Sequence, residues 1–176
     1  MEQTILLVDH DLDFLEWATK HLAAPGLRIL RCDHPEKAVK IFDKTAIDLV
    51  ISEIRLEPFD GLELIQRVRA KHPATIFVLV TGFPSTNQII EATQRGAQDV
   101  LRKESVSFDF RHVVETLLQT IDDRRSAGEQ PAEMPITEDR VKMIGISRSL
   151  QEVFKIVGRA CAHISSVDQV FRGASA

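Results

Sequence analysis

Polar side chains capable of chemistry come directly after four short apolar runs of this sequence. They comprise carboxylates, an imidazole, a hydroxyl and an ammonium, and they are Asp9, His10, Asp11, Glu53, Thr81 and Lys103. If the apolar runs are parallel strands of one sheet, their carboxyl ends meet at one edge and bring these side chains into one pocket. Such a set suits the binding of a small oxyanion, or of a cation beside the carboxylates.

Short apolar runs alternate with amphipathic stretches between residues 4 and 122. The runs are brief, rich in branched aliphatic residues and bounded by polar or turn residues, and they are Ile5–Val8, Ile29–Leu30, Leu49–Ile51, Ile76–Val80 and Val100–Leu101. These features are typical of strands that are buried on both faces. Five alternations predict an α/β fold of the (βα)5 type, with a doubly wound, parallel, five-stranded sheet.

The bulk composition excludes several classes of protein. The chain of 176 residues is 44% hydrophobic and 27% charged, as is usual for soluble globular proteins. Its net charge of −4 gives no reason to expect nucleic-acid binding by this chain alone. No signal peptide or membrane span is visible, so we expect a cytoplasmic protein. Cys32 and Cys161 are expected to be reduced thiols that pack as small hydrophobic residues.

The segment from about residue 4 to 122 resembles the receiver domain of bacterial response regulators, which is CheY-like and flavodoxin-like in fold. Four motifs carry the resemblance and occur in the family's order: ILLVDHDLDF, DLVISEIRLEPFDGLELI, LVTGFPS and GAQDVLRK. The resemblance implies that Glu53 occupies the position of the phosphoacceptor. It also implies that Thr81 and Lys103 are the phosphate contacts, and that Val100 lies at the position of the aromatic switch residue.

Four positions depart from the family pattern. Glu53 replaces the aspartate that is phosphorylated, and His10 replaces the second of two adjacent acids that hold Mg²⁺. Val100 replaces the aromatic switch residue, and Glu104 replaces the proline that usually follows the lysine. The four departures together favour a receiver that has lost phosphoryl chemistry and kept its fold.

The first two departures affect the same reaction. The glutamate arm is longer by roughly 1.5 Å, and a displacement of about 1 Å at a reacting atom costs on the order of 100-fold in rate. Mg²⁺ prefers oxygen ligands, whereas imidazole suits Zn, Cu, Fe or Ni. We therefore expect that Glu53 is not phosphorylated. A Mg²⁺ site that uses Asp9 and Glu53 is expected to be weakened, and no cofactor is certain.

Glu53 itself is compatible with two interpretations. Its carboxylate could reach Lys103 and Thr81 in the way that the phosphate does in the family, which would give a permanently active mimic. A charge-assisted hydrogen bond contributes roughly 1.5–3 kcal/mol, whereas moving an equilibrium from 1:99 to 99:1 takes about 5.5 kcal/mol. One such contact would bias a switch without locking it. The other interpretation, which we favour, is an inert scaffold whose outer faces bind a partner.

The residues next to Asp9 have simpler explanations besides a functional one. His10 could bind a metal or sense pH, but a solvated or hydrogen-bonded loop histidine accounts for it as well. Asp11 and Asp13 are placed to cap the first helix, because acids near a helix N-terminus are stabilising. Asp11 could also supply a replacement carboxylate to the pocket.

The sequence divides into a receiver domain (1–123), a linker (124–140) and a C-terminal segment (141–176). The segment KMIGISRSLQEVFKIVGRACAHISSV resembles the opening of the AAA+ ATPase domain of NtrC-class, sigma-54-dependent activators, with an amphipathic helix at about 149–164. An unrelated amphipathic helix is the alternative. The second Gly, the Lys and the Ser/Thr of a phosphate-binding loop do not occur in this sequence. We therefore expect a truncated domain, no enzyme activity and no transcriptional activation by this chain alone.

These features predict an atypical response regulator that acts in two-component, phosphorelay signal transduction through protein contacts and without phosphorylation. The expected partners are a histidine kinase or an activator subunit. A second copy is expected to bind through the face of the fourth and fifth helices, at Gln88–Arg95 and Arg111–Gln119. The alternatives are a receiver phosphorylated by a cognate kinase at another site, and a regulatory fragment of a sigma-54-dependent transcription activator. A flavodoxin-shaped enzyme lacks a cofactor fingerprint to support it.

Overall fold

The computed structural model describes residues 2–103 and 106–127. The strands are β1 (Gln3–Val8), β2 (Leu27–Cys32), β3 (Leu49–Glu53), β4 (Ile76–Thr81) and β5 (Asp99–Arg102). The helices are α1 (Leu12–Leu22), α2 (Pro35–Phe42), α3 (Gly61–Arg69), α4 (Thr86–Gln94) and α5 (Val106–Ala127). The predicted alternation of strands and helices is confirmed, and each strand is longer than the apolar run that indicated it.

The five strands form one parallel sheet in the order β2-β1-β3-β4-β5. The order reverses between β1 and β3, because the chain first adds β2 on one side of β1 and then adds the other strands on the opposite side. Val8 pairs with Ser52 across this point. The residues that follow them, Asp9 and Glu53, therefore leave the sheet side by side, at the place where ligands bind in sheets of this kind.

Side chains of the central strands alternate between two apolar clusters, one on each face of the sheet. Ile5 and Leu7 lie in the cluster that contains α1 and α5, whereas Leu6 and Val8 lie in the cluster that contains α2, α3 and α4. All four of these side chains are fully buried. Burial of each such side chain contributes roughly 1.5–3 kcal/mol, so β1 is held between two layers of helices.

The apolar stripe that predicted α5 is also confirmed. Its buried members are Phe110, Val113, Val114, Leu117 and Ile121. No helix among the described residues is long and apolar enough to span a bilayer. Cys32 is a buried free thiol, as predicted, and its burial raises the pKa to about 12. Cys161 lies outside the described residues.

Helix α5 continues to Ala127 and therefore includes residues 124–127, which the sequence pattern assigned to the linker. A contact at the amino-terminal edge of the sheet holds this last turn of α5 in place. Arg125 of the last turn pairs with Asp48 Oδ1, and Asp48 Oδ2 accepts a hydrogen bond of 2.7 Å from the Thr4 N–H. The apolar period ends before Arg125, so hydrophobic patterning alone could not find this turn. Glu104 and the segment 128–176, with the predicted helix at about 149–164, lie outside the described residues.

Replacing Asp48 with Ala should lower the free energy of unfolding by about 1–3 kcal/mol, because the buried Thr4 N–H loses its acceptor. Arg125→Ala should lower it by less than about 1 kcal/mol, since that ion pair is partly exposed. Urea unfolding of both variants, followed by the fluorescence of Trp17, measures the difference. An equal loss in the two variants would show that the Arg125 pair, and not the Thr4 bond, carries the effect of Asp48.

Candidate functional site

The carboxyl edge of the sheet brings together the acids that the sequence placed after β1 and β3. Asp9 follows β1, and Glu53 is the last residue of β3. Both carboxyl groups are almost completely buried. Asp11, at the start of α1, lies beside them. We call Asp9, Asp11 and Glu53 the acidic pocket.

Lys103 reaches into the acidic pocket from the end of β5. Its Nζ lies 2.7 Å from Asp9 Oδ2, 3.1 Å from Glu53 Oε2 and 3.8 Å from Asp11 Oδ2. The ammonium also lies over the ring of Phe14, 4.8 Å from its centroid. Asp9 Oδ2 has this ion pair but no hydrogen bond of ordinary geometry. The lysine thus supplies the cation that the buried carboxylates need.

The Glu53 carboxylate is held at both oxygens. Its Oε1 accepts hydrogen bonds from the N–H of Ile54 at 2.8 Å and from the N–H of Arg55 at 3.2 Å, and its Oε2 pairs with Lys103. The contact with Lys103 that we expected is therefore present. Within the described part of the chain, the structure records no hydrogen bond between Glu53 and Thr81. Thr81 is buried at the end of β4, one residue beyond Val80, which is the register partner of Glu53.

Asp11 is the N-cap of α1, as predicted. Its Oδ1 accepts a hydrogen bond of 3.0 Å from the Phe14 N–H, and its own N–H donates to Asp9 Oδ1 at 2.9 Å. Asp13 lies in the first turn of the same helix. These bonds fix the loop after β1, so that Asp9 points its second oxygen at Lys103.

His10 lies beside the acidic pocket with most of its side chain exposed. Its side chain is 64% exposed, and its Nδ1 lies 3.8 Å from Asp9 Oδ1. This placement agrees with a solvated loop histidine. The position that holds a second acid in the family therefore contributes neither an oxygen nor a buried ligand here.

Val100, the position of the switch residue, lies away from these charges. It is fully buried in the apolar cluster that contains Ile89 and Ala92 of α4. Val100 therefore packs β5 against α4. The outer surfaces of α4 and α5, by contrast, carry ion pairs within each helix, between Arg95 and Glu91 and between Arg111 and Glu115.

Burial and ion pairing act in opposite directions on the pKa values of this site. Burial raises the pKa of Asp9, and the opposing effects of Lys103 and of the Asp11 N–H do not cancel it. Burial lowers the pKa of Lys103, but the Asp9 and Glu53 carboxylates more than offset it, so the net direction is upward. Burial thus favours the neutral form of Asp9, whereas the two carboxylate partners favour the charged form of Lys103.

The residues of the pocket do not fit Mg²⁺, which the family implies. Asp9 Oδ1 accepts from a backbone N–H, Asp9 Oδ2 and Glu53 Oε2 pair with Lys103, and Glu53 Oε1 accepts from two backbone N–H groups. Each carboxylate oxygen of these two residues therefore already has a partner within the protein. Across residues 2–103 and 106–127, no group of three or more His, Cys, Asp or Glu side chains could hold a metal ion.

Sequence reasoning missed the contribution of Phe14 and of the backbone after Glu53. Phe14 belongs to the apolar face of α1, and nothing in that pattern indicates a cation above its ring. The Asp60-Gly61 pair in the sequence did indicate a turn in the backbone that follows Glu53. A Cβ on Gly61 would lie 2.4 Å from the Glu53 carbonyl oxygen, and the Gly61 N–H donates to the Ile54 carbonyl at 2.8 Å. Only glycine allows this close approach behind Glu53.

Residues 5–115 match the family described as the response regulator receiver domain. The match spans more than half of the chain, and the fold and the positions at the strand ends agree with it. This chain belongs to the response regulator receiver family, whose members are signalling domains that interact with kinases or effector domains.

Curated proteins similar to this chain include transcription regulators. The chain is 26% identical over 176 residues to the DNA-binding transcriptional regulator NtrC of Salmonella typhimurium strain LT2, covering 99% of this chain and 36% of that protein. It is 29% identical over 145 residues to the transcriptional regulatory protein GlrR of Escherichia coli K12, covering 82% of this chain and 30% of that protein. The chain thus spans about a third of the length of these relatives.

Solved receiver domains have the same fold. The signal receiver domain of a putative LuxO repressor protein from Vibrio parahaemolyticus has a TM-score of 0.68 at 15% identity, covering 74% of this chain and 100% of that one. The receiver domain of an HD domain-containing protein from Pseudomonas fluorescens Pf-5 has a TM-score of 0.64 at 26% identity, covering 73% and 93%. These likenesses confirm the flavodoxin-like fold.

Replacing Asp9 with Asn should flatten the pH dependence of stability on the acid side. Because the folded state raises the pKa of Asp9 above 3.8, the protonated form contributes stability below that value. The contribution is lost as the pH rises through the folded pKa. The wild-type protein should therefore lose more stability than Asp9→Asn when the pH is raised from about 4 to about 7.

Urea unfolding at the two pH values measures this difference. Asp13→Asn is the matched control, since Asp13 is exposed in the first turn of α1, and its pH dependence should follow the wild type. A steeper loss in Asp9→Asn than in the wild type would contradict the argument, because it would mean that the ionised form of Asp9 is the one that stabilises the fold.

Proposed function

We propose that this chain is an atypical receiver that works in signal transduction through protein contacts, independently of phosphorylation. The observation that carries the proposal is the state of the Glu53 carboxylate at the acceptor position. Two backbone N–H groups hold one of its oxygens and the Lys103 ammonium holds the other. Both oxygens are thus engaged before any phosphodonor arrives.

A carboxylate must turn an oxygen toward phosphorus to form an acyl phosphate. Glu53 would have to break its contact with Lys103 or its bonds to Ile54 and Arg55 to do so. Its extra methylene also displaces the oxygen by roughly 1.5 Å from where an aspartate would present it. Since reaction rates fall by on the order of 100-fold for a misplacement of about 1 Å, the arrangement supports a loss of phosphoryl transfer.

The same contact supports a scaffold over a phosphorylation mimic. The pairing of Glu53 with Lys103 is made by two side chains of the chain itself, so it needs no added group. A contact changes a conformational equilibrium only if its free energy differs between the two states. Val100 adds to this argument, because it packs under α4 and has no ring that could turn between the core and the surface.

The relatives support a place in transcription regulation. The alignment with NtrC covers 99% of this chain, and therefore continues past Ala127 into the segment at 141–176. We propose the division into a receiver at 1–123, a linker at about 124–140 and the beginning of a sigma-54-type AAA+ domain at 141–176. On this proposal the chain holds a regulatory part of an activator, and the receiver contacts an activator subunit or a histidine kinase. The net charge of −4 supports the absence of contact with nucleic acid by this chain alone, and we place the chain in the cytoplasm as in the sequence analysis.

Incubation of the wild-type protein with acetyl phosphate and Mg²⁺ should leave its intact mass unchanged, because Glu53 does not accept the phosphoryl group. The double variant His10→Asp/Glu53→Asp restores the arm length and the second acid of the family pattern. It should gain the mass of one phosphoryl group under the same conditions. Intact-mass spectrometry of the two proteins, treated in parallel, makes the comparison.

Glu53→Gln serves as the control for the site of any reaction. A phosphoryl gain in the wild type that is absent from Glu53→Gln would overturn the proposal. A gain that persists in Glu53→Gln would place the phosphate on another residue and favour the phosphorylated alternative.

The homodimer is a separate part of the proposal, and it concerns the α4–α5 face at Gln88–Arg95 and Arg111–Gln119. Reversing an exposed charge there, by Glu115→Lys, should weaken self-association by roughly tenfold, since an attraction becomes a repulsion. Lys37→Glu is the matched control, because it is an exposed lysine on α2 at the other edge of the sheet. Sedimentation equilibrium measures both, and equal effects of the two variants would exclude this face.

A further inference from the structure

We infer that Lys103 is the resident cation of the acidic pocket and occupies the place of a divalent metal, so that the pocket responds to Mg²⁺ only when Lys103 is removed. The inference deepens the proposed function and rests on it, because both concern the same carboxylates. The binding of Mg²⁺ to the pocket can be measured without any phosphodonor.

The first support is the use of the carboxylate oxygens. Asp9 and Glu53 have four oxygens between them, and the closest partner of any of these is Lys103 Nζ, at 2.7 Å from Asp9 Oδ2. A second contact of 3.1 Å joins the same nitrogen to Glu53 Oε2. One ammonium therefore bridges the two carboxylates, in the way that a shared metal ion would. The remaining two oxygens accept backbone N–H groups, which keep them turned away.

The second support is the balance of charge. Asp9 and Glu53 with Lys103 leave one net negative charge, and Asp11 adds a further carboxylate at 3.8 Å from the ammonium. A divalent cation entering beside Lys103 would lie within a few ångströms of another positive charge. In a site where Asp9 is 1% exposed and Lys103 is 20% exposed, water screens that repulsion poorly.

The third support is the anchoring of Lys103 in its position. The ammonium lies 4.8 Å from the centroid of the Phe14 ring, where the negative face of the ring attracts it. Phe14 is in turn fixed by its backbone bond to the Asp11 cap and by ring contacts with Trp17 and Phe110. Withdrawal of Lys103 to admit a metal would break the ion pairs and the ring contact together.

The family pattern supplies a further carboxylate ligand for the metal at the position of His10, and this chain has no carboxylate there. His10 presents an imidazole, whereas Mg²⁺ takes oxygen ligands in a nearly octahedral arrangement. The His10 side chain is 64% exposed and lies beside the pocket. Removal of Lys103 would leave Asp9 Oδ2 and Glu53 Oε2 without their ion pairs, with Asp11 near them, and this uncompensated negative charge attracts a divalent cation.

The test compares the response of the wild type, Lys103→Met and Lys103→Arg to MgCl₂ at constant ionic strength and without phosphodonor. The Tm of Lys103→Met should rise with MgCl₂, whereas the wild type and Lys103→Arg should not respond. The affinity of Lys103→Met for Mg²⁺ should exceed that of the wild type by at least about tenfold. Trp17 is the only tryptophan of the chain and stacks on Phe14 at 5.9 Å, so its fluorescence reports on the pocket.

Lys20→Met is the matched control, because Lys20 is exposed on α1 and pairs only with Glu16 among the described residues. It should behave as the wild type does. If Lys103→Met binds no Mg²⁺ although it is folded, Lys103 does not stand in for a metal and the inference is wrong.

Because Lys103→Met leaves two buried carboxylates without their cation, a second measurement uses the wild-type protein alone. Mn²⁺ should not broaden the amide resonances of Asp11 and Glu53 in the wild type. Broadening at these positions would overturn the inference even if Lys103→Met does not fold. A wild type that binds Mn²⁺ but gains no phosphoryl mass would contradict the inference and leave the proposed function in place. A phosphoryl group gained at Glu53 would contradict the proposed function itself.

Discussion

The ion pairs of Lys103 with Asp9 and Glu53 are the interaction on which the carboxyl edge of this sheet depends. Three strands end at this point, and they bring two buried carboxylates close together. Two such charges in a dry site repel each other and each loses its hydration, which costs several kcal/mol per ion. The ammonium from β5 offsets part of this cost for both acids at once. The loops after β1 and β3 can therefore remain closed around charged groups.

The site is stable because each of its charged groups has a partner, and less because any one ion pair is strong. A buried ion pair contributes little net stability compared with an apolar substitute, but removal of one member leaves an uncompensated charge. The backbone N–H groups of Asp11, Ile54 and Arg55 complete the set by binding the carboxylate oxygens that face away from Lys103. Each acid thus has a partner on both sides, and the positions of both are fixed.

Much of this architecture could be predicted from the sequence, for identifiable reasons. Ile5–Val8 and Ile76–Val80 are branched aliphatic runs too short for helices, so they indicated buried strands. Parallel strands present their functional residues at their carboxyl ends, and this rule predicts that Asp9, Glu53 and Lys103 lie close together.

The sequence could not predict the details that depend on side-chain rotation and on long-range contacts. Whether Glu53 turns toward Thr81 or toward its own backbone is decided by the N–H groups of Ile54 and Arg55, which no pattern of residue types records. The last turn of α5 likewise depends on Asp48, which lies 77 positions from Arg125 in the sequence. The family motif gave Val100 the position of the aromatic switch residue, but it could not tell that the side chain packs with Ile89 and Ala92 of α4.

Strand β3 carries an acid at each extremity, since Asp48 precedes it and Glu53 ends it. These acids bind the two basic residues that bracket α5: Arg125 near its end and Lys103 shortly before its beginning. Ion pairs thus join the two ends of the central strand to the last turn of the longest helix of the described chain and to the residue that follows β5. A partner bound at the last turn of α5 is therefore one ion pair away from β3, whose other end carries Glu53.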